Sequence, residues 1–348
     1  MGQPLLSVRD LVVRFDVEDG PLTAVDGVSF DVPQASTVAL VGESGCGKTV
    51  TAHAIMRLLP EPPAEIPAGT VLFEGQRLLD LPARKLRKLR GSRLSIVFQD
   101  PHSALNPVYS VGSQLVEAYR IHQRISRGEA KRRGVELLRR VGFPEPERRF
   151  GDYPHELSGG MRQRVMIAIA LACSPSLLIA DEPTTALDQL AAADLVELLA
   201  DLRRELKLSL LLISHDIAMV ASIADRVVVL YAGQVMESGM ARDVLEAPSH
   251  PYTRGLLLSV PPRRRRQRRR RRTSARLPNI TGNVPDPRSF PSGCRFSDRC
   301  PEAFDRCRRS APPLTEVARP DRAPVEARCW LYDPDEEPLR LATPAREP

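Results

Sequence analysis

The sequence predicts an α/β fold with a separate extension at its C-terminal end, and three observations carry this. A short apolar run, Thr37–Val41, leads directly into Gly42-Glu43-Ser44-Gly45-Cys46-Gly47-Lys48-Thr49 and then into a helix-like stretch reaching Leu59. A second apolar run, Ser176–Ala180, ends in Asp181-Glu182. Composition then changes near residue 247, since 17 of the 32 prolines fall between Pro248 and Pro348. The division expected is residues 1–246 as the α/β unit and 247–348 as a Pro-, Arg- and Cys-rich extension.

Size and composition agree with that division. The chain has 348 residues, 42% hydrophobic, 27% charged and 5% aromatic, enough for about two domains of ~100–200 residues each. These figures exclude a miniprotein or a disordered tail. The longest apolar run, Val165–Cys173, falls far short of the ~20 residues of a membrane helix. The first residues, Met1-Gly2-Gln3-Pro4-Leu5-Leu6-Ser7, contain neither a basic segment leading into an apolar one nor the Ser or Thr that a myristoylation signal needs at position 6, so a cytoplasmic location is expected. The net charge of +7 is a local matter. Arg263–Arg266 and Arg268–Arg272 place nine positive charges within ten residues, and the rest of the chain is slightly acidic. That run reads first as a solvated linker and second as a patch attracted to anionic lipid headgroups. Nucleic acid comes last, because no aromatic interleaves the arginines.

The first motif is G-x-x-x-x-G-K-[ST] between a strand and a helix. Its glycines let successive backbone N–H groups face phosphate, and the helix N-terminus adds positive potential. Lys48 would reach the β- and γ-phosphates of ATP, and Thr49 would offer its hydroxyl to Mg²⁺. Cys46 reads as a small filler inside the loop. In the second motif Asp181 would hold Mg²⁺ through its water shell, while Glu182 would act as general base on the attacking water.

Between these motifs lies Leu157-Ser158-Gly159-Gly160-Met161-Arg162-Gln163-Arg164, opening a helix-like run to Ala172. Here the chain resembles the ABC-type ATPases, whose LSGGQ signature differs only in having Gln where this chain has Met161. The resemblance implies a P-loop core with an antiparallel β-subdomain and a helical subdomain, placed at about 100–172. It implies that Gly42, Glu43, Ser44, Gly45, Cys46, Gly47, Lys48, Thr49 and Val50 cradle ATP, and that Ser158, Gly159 and Gly160 reach the ATP of a partner ATPase. The other family motifs follow in order. Gln99, after the strand Leu94–Phe98, resembles the Q-loop residue that contacts Mg²⁺ or the lytic water. Ala186-Leu187-Asp188 resembles the D-loop, and His215, after the strand Leu208–Ile213, resembles the switch histidine on the γ-phosphate. Phe15 is similar to the aromatic that stacks on adenine.

Two further stretches narrow the resemblance to the oligopeptide/dipeptide importer branch. Gln99-Asp100-Pro101-His102-Ser103-Ala104-Leu105-Asn106-Pro107 is similar to that branch's segment after the Q-loop. His250-Pro251-Tyr252-Thr253-Arg254-Gly255-Leu256-Leu257 is similar to the start of its C-terminal extension, as are Pro291–Phe296 and Arg299–Ala303 to the cysteine-bearing end. The expected activity is ATP hydrolysis that drives peptide import through two transmembrane permease subunits, which would dock around residues 100–156. The expected partners are a second ABC ATPase, as a heterodimer first and a homodimer second, and indirectly an extracytoplasmic solute-binding protein. The expected position is the cytoplasmic face of the cell membrane. Related ATPases serve nickel and other small solutes. Non-transport ABC ATPases acting on DNA fit poorly, because no sustained heptads lie between Lys48 and Asp181. Ribosomal ones carry two ATPase units per chain, against one here. A metal or redox sensor without transport is the rival from another class.

Cys294, Cys300, Cys307 and Cys329 are spaced C-x₅-C-x₆-C-x₂₁-C. Zinc sites usually pair cysteines two to four residues apart, so this spacing fits zinc poorly. A [4Fe–4S] cluster, carried on such cysteines by some members of the resembled branch, is the first reading; zinc is the second and unligated thiols the third. A bound metal would give the proline-rich extension its shape.

Overall fold

The computed structural model describes residues 3–18, 20–185, 187–259 and 280–333. In chain order the first part contains β1 (Leu6–Phe15), β2 (Leu22–Val32), β3 (Thr37–Val41), α1 (Lys48–Met56), β4 (Ala64–Phe73), β5 (Gln76–Arg77), α2 (Ala83–Leu89) and β6 (Leu94–Val97). Helices then follow without an intervening strand: α3 (Pro101–Ala104), α4 (Val111–His122), α5 (Arg127–Arg140), α6 (Pro146–Arg149) and α7 (Gly159–Leu171). The chain returns to β7 (Leu177–Asp181), α8 (Gln189–Leu206), β8 (Ser209–Ser214), α9 (Ile217–Ile223), β9 (Arg226–Tyr231), β10 (Gln234–Met240), α10 (Ala241–Glu246) and α11 (Pro251–Leu258). The extension adds α12 (Asp305–Arg309), β11 (Thr315–Val317) and β12 (Val325–Ala327).

Two sheets organise these elements. An antiparallel one has the order β2-β1-β4-β5, and a larger one has β11-β12-β10-β9-β3-β8-β7-β6. In the larger sheet β9, β3, β8, β7 and β6 are parallel neighbours. That explains why β3, β7 and β8 read as unbroken apolar runs: a parallel sheet is covered on both faces. Alternation then divides the sides. Val38 and Leu40 of β3 pack with Ala52 and Ile55 of α1 and with Leu11 and Val25 of the antiparallel sheet. Ala39 and Val41 face the helices, among them Val165 of α7 and Leu199 of α8.

Register places the functional loops along one edge. Val97 pairs with Ala180, Asp181 with Ile213, and Val41 with Ser214. The loops leaving β6, β7, β8 and β3 therefore emerge side by side at the C-terminal ends of parallel strands, where open α/β sheets bind ligands.

Several helix starts follow from a capping residue. Ser110, Ser126 and Ser158 accept bonds from the amides of Ser113, Glu129 and Met161, and Asp188 and Asp216 cap α8 and α9 in the same way. α1 has no such cap: its N-cap is Gly47 and no side chain accepts from its first turn. It also ends earlier than the sequence predicts, at Met56, because Arg57 turns left-handed at φ 51°.

The extension is seated on the α/β unit. β12 pairs with β10 through Glu237↔Ala327 and Ser238↔Glu326, and β11 pairs with β12, so the large sheet continues into it. Tyr231 of β9, Tyr252 of α11 and Phe296 form an aromatic cluster with centroids 4.7–5.3 Å apart. These strands and rings, together with the ion pairs Arg295–Asp26 and Arg254–Glu302, supply the shape that the sequence reading assigns to metal. The arginine run 263–272 lies outside the described residues. Among the described residues no helix is long and apolar enough to cross a membrane.

Candidate functional site

The P-loop's curvature requires its glycines. Gly42 sits at φ +154°, and a Cβ there would stand 2.1 Å from the Leu230 carbonyl oxygen; at Gly47, φ +102°, it would stand 2.6 Å from that of Ala24. Inside the loop the Lys48 side chain is buried, and its ammonium donates to the carbonyls of Gly42 and Glu43, both at 2.9 Å. The uncapped first turn of α1 faces the same space, an arrangement suited to an anion.

The next strand ends complete the site. Thr49 Oγ1 donates to Asp181 Oδ1 at 3.0 Å. Burial pushes the Asp181 carboxyl up to about 6, with the Thr49 bond and the Lys48 charge opposing and neighbouring Glu182 reinforcing. Glu182 turns at φ 44° and donates its amide to the Ile213 carbonyl at 2.9 Å, which aims its side chain away from the sheet. Its Oε2 accepts from Gln99 Nε2 at 3.1 Å and from Thr185 Oγ1 at 2.9 Å, and lies 3.3 Å from His215 Nδ1. Ala24, Ser44, Gly45, Gly47, Lys48, Thr49, Val50, Gln99, Glu182 and His215 line one open cleft of about 400 Å³, within the ~300–1,000 Å³ usual for ligand sites.

Several expected residues stand outside that lining. Gly42, Glu43 and Cys46 form the back of the loop. Cys46 is buried, and burial raises its thiol pKa against the pull of Lys48, in keeping with a packing role. Phe15 pairs with Leu22 and Ala64 at the end of β1, where it is half-buried against the core and is not part of the cleft lining. Ser158, Gly159 and Gly160 start α7 and contribute nothing to the cleft of their own chain. A Cβ on Gly160 would come 4.0 Å from Leu187, so the signature segment and the D-loop segment are neighbours. Met161, the departure from LSGGQ, accepts on Sδ from Arg149 Nη1 at 3.7 Å. Asp188 caps α8, and Ala186 lies outside the described residues.

Sequence reasoning missed Ala24, Thr185, Tyr252 and Arg299. Thr185 follows Glu182 by three residues, a spacing that by itself carries no signal. Tyr252 lies in the His-Pro-Tyr stretch, whose structural basis is now plain. His250 Nδ1 accepts from the Tyr252 amide at 3.0 Å, Pro251 opens α11, and the Tyr252 hydroxyl accepts from the Glu43 amide at 3.0 Å. The amides of Ser249 and His250 are held by the buried Glu237 carboxylate at 2.7 and 3.0 Å.

The four cysteines of the extension line one small cavity with His250, Phe296 and Trp330, and all are free thiols. Burial is the main reason the Cys300 thiol is pushed up to about 11 and that of Cys329 to about 12. Among the described residues no group of three or more His, Cys, Asp or Glu is gathered so as to hold a metal ion, which bears equally on the cluster and the zinc readings.

Comparison with known proteins bears on these observations. Residues 25–185 match the ABC transporter family, and residues 236–307 match the oligopeptide/dipeptide transporter C-terminal region. A probable peptide ABC transporter ATP-binding protein of Sinorhizobium fredii is 48% identical over 94% of this chain and 94% of its own. The dipeptide transport ATP-binding protein of Bacillus subtilis is 44% identical over 99% of this chain and all of its own, and that of Escherichia coli 45% over 90% and 94%. A dimeric ATP-binding cassette solved in a post-hydrolysis state with ADP and phosphate superposes with a TM-score of 0.62 at 26% identity, covering 68% of this chain and 99% of that one.

Proposed function

The chain belongs to the ABC transporter ATPases, in the group defined by the oligopeptide/dipeptide transporter C-terminal region, and from that premise we propose that it is the ATP-hydrolysing subunit of a peptide importer. The observation that carries the chemistry is the convergence of Lys48, Thr49, Gln99, Glu182 and His215 on one cleft at the ends of four adjacent parallel strands. Support for a peptide substrate comes from the names of the relatives and from the match over 236–307.

In this reading the P-loop amides and Lys48 bind the β- and γ-phosphates of ATP. Glu182 takes a proton from the attacking water as the bond to the γ-phosphorus forms and the bond to ADP breaks. Gln99 and His215 orient that water and the γ-phosphate from either side of Glu182. Thr49 and Asp181 suit Mg²⁺: they present hard oxygen donors 3.0 Å apart beside the phosphate loop, and Mg²⁺ commonly binds through one carboxylate, waters and substrate phosphates. When bound, the ion neutralises charge on the transferring phosphoryl group.

The second half of the site comes from a partner ATPase, whose counterparts of Ser158, Gly159 and Gly160 close over the γ-phosphate. The dimeric state of the similar cassette supports a dimer; a heterodimer with a related ATPase is proposed first and a homodimer second. The chain divides into an ATPase domain, 1–246, whose helical subdomain at about 100–172 docks two permease subunits at the cytoplasmic face of the membrane, and the extension 247–348. An extracytoplasmic binding protein delivers the solute. A [4Fe–4S] cluster on Cys294, Cys300, Cys307 and Cys329, with zinc second, is part of the same proposal; its support is that the four line one cavity. Anaerobic reconstitution with iron and sulfide tests that fit: a cluster absorbance lost in the quadruple Cys→Ser variant supports it, and no bound iron refutes it.

Affinity purification of the tagged chain from detergent-solubilised membranes tests the function. Recovery of two multi-span permeases and a second ATPase is expected. Recovery with ribosomal or DNA-bound proteins and no permease overturns the transport reading.

A further inference from the structure

The back of the P-loop is held by side chains from the extension. Arg299 Nη1 lies 2.7 Å from Glu43 Oε2 and its Nη2 3.1 Å from Oε1, a bidentate pair, with the Arg299 side chain only 6% exposed. The rest of that guanidinium is committed as well. Nη1 donates to Tyr231 Oη at 3.2 Å, Nη2 to the Ile280 carbonyl at 3.3 Å and Nε to the Thr281 carbonyl at 3.1 Å. Glu43 is thus fixed at every polar group. Its carboxylate is on Arg299, its amide on Tyr252 Oη, and its carbonyl receives Lys48 Nζ. Gly42 and Ser44 flank it directly, so a shift of Glu43 moves the backbone that receives phosphate.

We propose that Arg299 is a positioning residue for nucleotide binding: by pinning Glu43 it holds the P-loop in its phosphate-receiving curvature, so ATP affinity depends on the seating of the C-terminal extension. The proposal rests on the reading of Gly42–Thr49 as the nucleotide loop. A partly buried pair with a satisfied fork gives geometric definition that an exposed pair lacks. Lysine at this position keeps the charge but cannot bridge both carboxylate oxygens while also reaching Tyr231 and two carbonyls.

The test uses the full chain and a fluorescent ATP analogue, with steady-state ATPase kinetics and thermal melting in parallel. Arg299→Met is expected to weaken nucleotide binding about tenfold and to raise KM in proportion with kcat within about twofold, and Arg299→Lys should fall between it and the parent. Should Arg299→Met fail to fold, Glu43→Gln, which keeps the side-chain volume, is expected to show the same KM-selective loss. A lowered melting temperature with unchanged nucleotide affinity in the folded variants would assign the pair to structure alone and overturn the proposal. Lys48→Ala separates the two levels. If it binds nucleotide as the parent does, the nucleotide-loop reading fails; if it loses binding while Arg299→Met and Glu43→Gln keep it, only the positioning role fails.

Discussion

Gln99 Nε2 donates to Glu182 Oε2 at 3.1 Å, although 83 residues separate them, because β6 and β7 are parallel neighbours in the register Val97↔Ala180. The same oxygen accepts from Thr185 and lies 3.3 Å from His215 Nδ1, so one carboxylate oxygen gathers three elements. Water must replace part of this network for Glu182 to act as a base. Glu182→Gln is therefore expected to keep ATP affinity within about threefold, to favour the closed dimer, and to lower turnover by about 100-fold or more. Nucleotide binding, size-exclusion with ATP and phosphate release measure the three parts. Undiminished phosphate release would remove Glu182 as the base.

Asp181 gives the site a pH dependence of defined sign. Burial, opposed by Thr49, raises its carboxyl to about 6, so the proton competes with Mg²⁺ below that value. Mg²⁺ affinity of the ATP-loaded protein should be steady above pH 7 and fall as pH drops through 6, approaching about tenfold per unit. Mg²⁺ titration between pH 5.5 and 7.5 reads this directly. Asp181→Asn should be weak at every pH, and a parent profile flat down to pH 5.5 would contradict the assignment.

His250 predicts an acid sensitivity of the extension's seat. It is fully buried, and burial is the first cause that lowers its pKa to about 3, with the charges of Arg254 and Arg328 acting in the same direction. The folded chain refuses a proton that the unfolded chain accepts near 6.5. Stability from this group is whole above 6.5 and is lost as pH falls towards 3, on the order of 1 kcal/mol per unit. His250→Asn retains a capping acceptor without the titration. Its melting temperature should fall less between pH 6.5 and 4.5 than that of the parent, and identical slopes would refute the assignment.

Gly42→Ala tests the loop geometry independently of charge. Its Cβ would meet the Leu230 carbonyl oxygen, a backbone atom, at 2.1 Å, so the loop must move. Nucleotide binding should be lost while the melting temperature changes by a few degrees only. Parent-like binding would show that the loop tolerates another path.

The ATPase core was legible because each of its devices leaves a local signature. Glycines at fixed offsets before Lys48 mark the loop, and the apolar run ahead of Asp181-Glu182 marks a strand buried on both faces. The extension was legible as a motif but not as a structure. Thr315–Val317 and Val325–Ala327 are three-residue strands that form only because β10 offers an edge, and no pattern that short distinguishes a strand from a loop. Arg299 stood in a quoted motif beside Cys300, yet its partner Glu43 is 256 residues away, and only tertiary structure brings the two together.

The central claim is that ATP hydrolysis at Glu182 drives peptide uptake. The most direct measurement is uptake of a radiolabelled dipeptide or tripeptide by cells lacking this chain and complemented with either the parent or Glu182→Gln, both verified at the membrane. Restoration by the parent alone is the result predicted. Uptake unaffected by loss of the chain, or restored equally by Glu182→Gln, would contradict the account.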